Sequence, residues 1–134
     1  MASPILHSQS PTLLKIAGLG AFFPLTLGLI GTFSPYSGFK LFGLPEPTTP
    51  QAKKQGANLM MFWGSRDVYM GLTALAAWYE GAGRVLGWLY LCGTLVAISD
   101  GVQSVRETGG GAWKHVMWCP VVVGIAGGLL GWFD

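Results

Sequence analysis

The sequence predicts an all-α protein, an integral membrane four-helix bundle, and three observations carry that expectation. Of 134 residues, 51% are hydrophobic and 21 more are glycine. Only 10% are charged, where a soluble domain carries roughly a quarter. The apolar residues fall into four stretches of about 20, the length a helix needs to cross a hydrocarbon core. Turn-forming residues separate them.

The first span covers about residues 13–33, inside an uncharged run of 24 residues between Lys15 and Lys40. It has no short apolar core with a small-x-small exit, so it reads as a retained span rather than a signal peptide. Spans two, three and four cover about 57–79, 84–105 and 114–133. The connections hold Pro35, Gly38, Gly43, Pro45, Pro47 and Pro50, then Gly81 and Gly83, then Gly109 to Gly111. Pro24 and Pro120 should kink spans one and four, because each leaves a carbonyl one turn earlier without its donor.

Helices in lipid associate through close packing of small residues. Gly83 with Gly87, Gly124 with Gly128 and Gly127 with Gly131 are spaced for this. Trp63, Trp78, Trp88, Trp113 and Trp132 cluster near span ends, where amphipathic rings favour the headgroup boundary. YSGFKLFGLP reads as an interfacial piece with Phe39 and Phe42 turned inward. Four spans put both termini and the middle loop, with Lys15 and Arg84, on one side. Lys40, Lys53, Lys54, Arg106 and Lys114 lie on the other, which the positive-inside tendency assigns to the cytosol.

The net charge of +2 is small and dispersed, so no nucleic-acid surface is expected. Cys92 and Cys119 lack metal-ligand spacing and read as buried thiols. No GxGxxG, Walker or GxSxG pattern occurs, nor paired histidines for haem, zinc or di-iron. No cofactor and no metal are therefore expected. Any chemistry would be proton transfer, isomerisation, cyclisation, dehydration or oxygenation of an easily oxidised substrate.

Four polar residues stand where an apolar span should have none. Arg66 and Asp67 lie halfway along span two, Asp100 lies in span three, and His115 opens span four. Ionised groups at such depth cost several kcal/mol unless paired or wetted. Counted from the side of the first and third loops, Arg66 is about nine residues deep, Asp100 about five and His115 about one, at 1.5 Å per residue. All fall in one half of the bilayer, so three helices can feed a pocket opening to that side. Neighbouring helical residues point about 100° apart. The expected pairing is therefore Arg66 with Asp100, with Asp67 left to His115, water or a backbone donor. With His115 neutral the four sum to one negative charge, which a low-dielectric site relieves by retaining a proton.

Asp100 and His115 are the expected acid and base, Arg66 the stabiliser of developing negative charge, and Asp67 an orienting group. Asn58 and Tyr69 fall near the helical stripe of Arg66 and are candidate substrate contacts. Gln103 and Glu107 read as solvated loop-end residues. The function so implied is a cofactor-free isomerase- or cyclase-like enzyme on a lipophilic metabolite. The alternative is a membrane scaffold or accessory protein whose charges only fix helix register; a transport subunit would need oligomerisation. Expected partners are the bilayer, a lipophilic small molecule, and further copies or biosynthetic enzymes. The location would be multi-pass in a membrane, the endoplasmic reticulum in a eukaryote.

FGLP after the first span, GSRDVYMGL in the second, ISDG in the third and the histidine opening the fourth resemble a family of small four-span membrane proteins, domain of unknown function 4267, found in fungi and bacteria. The likeness runs from about Leu13 to Trp132. It implies that Arg66, Asp67, Asp100 and His115 are the family's recurrent polar positions. It implies no activity. The link to small membrane enzymes of fungal secondary-metabolite biosynthesis is analogy.

Overall fold

Pro24 has no N–H for the carbonyl of Gly20, and the first apolar run breaks there, as the proline predicts. α1 spans Pro11–Gly20 and α2 spans Phe22–Phe33, with Ala21 between them. The structure, a computed structural model, describes residues 4–134. Ser10 caps α1 by accepting from the Leu13 N–H at 3.3 Å. α3 follows at Pro35–Phe42 and stops at Gly43, whose φ of 69° suits glycine. α4 runs over Pro50–Tyr79 behind a Thr49 cap, and α5 over Gly83–Thr108. Pro120 breaks the last run as Pro24 breaks the first, giving α6 at Trp113–Val116 and α7 at Cys119–Leu130.

The protein is all-α among the described residues, with three segments long and apolar enough to cross a membrane: Pro11–Phe33, Gly83–Thr108 and Trp113–Leu130. α4 is not one of them. Its 30 residues are long enough, but Lys53, Lys54, Arg66 and Asp67 lower its hydropathy. The expected four-helix bundle is corrected accordingly: three segments, not four, are apolar enough to span. The first and last runs break where Pro24 and Pro120 were expected to kink them, and the piece expected at the interface is a helix, α3.

α4 lies most extensively on α2, and α5 on α7. The α2–α4 seam is made by glycines other than the spaced pairs predicted to pack. A Cβ on Gly64 would stand 2.5 Å from the Thr32 nitrogen and 2.7 Å from the Gly28 oxygen, and one on Gly28 2.4 Å from the Val68 nitrogen. Of the predicted pairs, Gly87 abuts Ala126 and Leu129, and Gly128 abuts Leu13, whereas Gly124 faces open space. Gly64→Ala would force two backbones apart and should cost about 1–3 kcal/mol. A lower thermal midpoint in detergent is the expected readout, with Gly124→Ala unchanged as control.

The closed core lies at one end. Leu13, Ala17, Ala21, Ala74, Ala77, Leu86 and Leu129 are buried together there. The termini meet at this end: the Ser8 N–H donates to Asp134 Oδ1 at 2.8 Å, the Ser8 hydroxyl donates to Oδ2, and His7 lies 3.7 Å away. The middle turn comes to the same end, since Gly83 faces Leu129 and Leu14. The Ser8 hydroxyl, then its backbone N–H, hold the Asp134 carboxyl below its ordinary value. A depressed carboxylate contributes above the unfolded value of about 3.9 and is lost as pH falls through the folded one. Amide exchange around Ser8, corrected for intrinsic rate, should thus quicken on acidification below about pH 4. Asp134→Ala should remove that dependence.

Cys92 is exposed on the protein surface and Cys119 is half-buried. This corrects the expectation of two buried thiols: Cys92 lies on a side of α5 that the rest of the described protein leaves uncovered.

Candidate functional site

Beyond Ala21 the rods diverge. α1 packs on α7, but α2 leans onto α4 and α7 onto α5, so α2 and α7 make no extensive contact. The space between them is a cavity of about 380 Å³. Phe23, Pro24 and Leu27 of α2, Phe42 of α3, Tyr90 to Asp100 of α5, and Trp118, Cys119 and Val122 wall it. Along α5 it extends from Tyr90 to Asp100, about 15 Å at the helical rise. The wall is mainly apolar. Asp67, Asp100 and Lys114 supply its charged groups, and His115 its imidazole.

Arg66 stands behind the carboxylates. Its two terminal nitrogens donate to Asp100 Oδ1 and Oδ2 at 2.9 and 2.8 Å, a bidentate bond between α4 and α5. The expected Arg66–Asp100 pairing is present. The expected separation of Arg66 from Asp67 is not: Arg66 Nε donates to Asp67 Oδ1 at 2.9 Å. The guanidinium's fork and long stem let it arch over one peptide, overcoming the angular offset that keeps short neighbours apart. Asp67 is therefore held by Arg66 rather than by His115.

These charges do not form a buried cluster. The side chains of Arg66, Asp67 and Asp100 are 33%, 14% and 26% exposed. They border an open cavity because the tight α2–α4 seam draws α2 away from α7 at their level. The prediction of a buried Arg/Asp/Asp/His cluster is corrected to a half-buried one.

His115 also faces this space. Its ring stacks on Phe42 at 6.3 Å between centroids, with 14° between planes. It borders both the main cavity and a small recess lined by Arg66, Asp100 and Gln103. Among the described residues its imidazole makes no hydrogen bond or ion pair, and neither does the Lys114 ammonium. Both are free to meet a ligand.

Four predicted residues thus come together: Arg66, Asp67, Asp100 and His115. Two do not. Tyr69 is 68% exposed and Asn58 is exposed too, and neither lines the cavity. They follow the stripe of Arg66's backbone, which faces sideways. The inward stripe is that of Asp67 and Met70.

Three lining residues escaped sequence reasoning. Lys114 looks like an interfacial charge, Trp118 like a headgroup-boundary ring, and Tyr90 is lost in an apolar run. The Tyr90 hydroxyl donates to the carbonyl of Ala17, just before the break. A polar ring followed three and four residues on by glycine and threonine, in YLCGT, was the available signal.

A family model described as Domain of unknown function (DUF4267) matches residues 21–129, most of the chain. No curated protein and no solved structure matches.

Proposed function

Because the chain belongs to the DUF4267 family, whose description names no activity, we propose its function from the site: a four-span membrane protein that binds a lipophilic small molecule from the bilayer and moves a proton on it without a cofactor. One observation carries this reading. An elongated apolar cavity has at one end an imidazole with nothing else to bond. The fourth crossing is assigned to α4. Ser8, Asp134 and the middle turn share one end, while Gly43 and Lys114 meet at the other, which supports an even number of passes. Arg66 and Asp67 are tolerated because Arg66 bonds both Asp67 and Asp100.

His115 takes a proton from the bound molecule and returns it to another atom of the same molecule, so no oxidant or reductant is needed. Both Asp100 oxygens are bound by Arg66, so Asp100 fixes the guanidinium instead of exchanging protons. Asp67, bonded through Oδ1, keeps Oδ2 to orient a ligand hydroxyl or the imidazole. The direct test works with a substrate of any identity. The protein in nanodiscs is incubated in D2O with a lipophile extract, and mass spectrometry seeks a component that gains deuterium. The expected result is gain with the native protein and none with His115→Phe. Equal labelling by both would overturn the assignment.

A second reading is favoured by the Arg66 geometry. One guanidinium tying two carboxylates across α4 and α5 is sufficient reason for three charges within two apolar helices, as in a scaffold whose register they fix. It leaves the free imidazole and the cavity without a purpose.

A further inference from the structure

We propose that the occupant is a lipophile ending in an oxyanion, which enters sideways from the bilayer between α2 and α7 and rests that end against Lys114 and His115. This rests on the reading of the cavity as a lipophile site and names its class of ligand. The route follows from the divergence of the two helices. Phe23, 62% exposed, and Trp118, 54% exposed, flank the gap while also lining the cavity. A molecule dissolved in the hydrocarbon can therefore pass between them without crossing water.

The headgroup follows from which polar groups are already satisfied. Asp67 and Asp100 are both bonded from behind by Arg66, which offsets one of their two charges, whereas the Lys114 and His115 side chains have no acceptor among the described residues. Among those residues the Lys114 ammonium is the one cation lining the cavity that no carboxylate of the protein holds, and a carboxylate or phosphate is an acceptor that bonds strongly to an ammonium. Lys114 lies at the loop end of the cavity, beside Gly43. An amphiphile so placed keeps its charge near the headgroups and its body along the roughly 15 Å slot toward Tyr90. Lys114 then holds the anion, and His115 remains beside the adjoining carbons for the chemistry.

The test uses the full chain in nanodiscs with a tail-diazirine derivative of a 12-carbon carboxylic acid. Light should label α2 and α7 residues lining the cavity, saturably. Unlabelled 12-carbon carboxylate or dodecyl phosphate should compete at concentrations about tenfold lower than dodecanol or dodecylamine. Whichever of the two anions competes better identifies the source of the oxyanion. Lys114→Gln should abolish the preference and Lys114→Arg should keep it; the side chain is exposed, so neither disturbs the core. If dodecanol or dodecylamine competes as well as the anions, or if Lys114→Gln retains the preference, the oxyanion assignment falls while the lipophile site stands. If nothing labels the cavity saturably, both fall.

Discussion

Replacing Arg66 with leucine should destabilise the protein more than any single change in the cavity wall in front of it. The guanidinium serves two carboxylates at once, with contacts of 2.8 and 2.9 Å. Its removal leaves two like charges facing each other across α4 and α5 in a poorly wetted place. Breaking a fully buried pair costs about 3–5 kcal/mol. With a third of the Arg66 side chain exposed, about 2–3 kcal/mol is the appropriate scale once screening is allowed for. Arg66→Lys should lose less, since an ammonium keeps the charge but cannot grip Asp100 with two parallel bonds. Adding Asp100→Asn to Arg66→Leu should recover part of the loss, because one of the stranded charges is gone. Thermal unfolding in detergent and abundance in membranes would both report it. An Arg66→Leu protein as stable as the native one would show that the trio contributes nothing to helix association.

The second large effect should appear in chemistry and leave stability alone. His115→Phe preserves an aromatic ring to stack on Phe42 and removes both nitrogens. No protein hydrogen bond is lost, so unfolding should shift by less than about 0.5 kcal/mol. Proton exchange into the bound molecule should fall by about 10²–10⁴-fold, the usual contribution of a positioned acid or base. The two substitutions thus separate the readings. A scaffold predicts that Arg66 matters and His115 does not, whereas an acid–base site predicts loss of turnover in a protein that still folds.

The elements were legible where the physics is local. Apolar run length marks three of the spans, and Pro24 and Pro120 mark where two of them break. The Arg66–Asp100 bond could be anticipated because each charge needed a partner at comparable depth. What remained hidden depends on helix rotation. Nothing in the run from Asn58 to Tyr69 says that Asp67's stripe turns inward while Arg66's faces sideways. That is decided by the glycine seam, where Gly28 meets Gly64 and Gly71 meets Leu25. Nor could spacing show that α2 and α7 would part, because the lean of α2 is set by its seam with α4. Lys114 was overlooked for a related reason: a lysine at a span end is ordinarily a solvated headgroup neighbour.

The uneven interior has a thermodynamic corollary. At the end where the termini meet, leucines and alanines fill the middle; at the other, comparable volume is left for something foreign. A guest seated there would complete the missing half of the molecule's interior, and mass action would tighten the whole chain. A hundredfold excess over its dissociation constant would add about 2.7 kcal/mol to unfolding. Raised melting temperature during a screen of lipophiles is therefore a route to the natural guest, even before any turnover is observed.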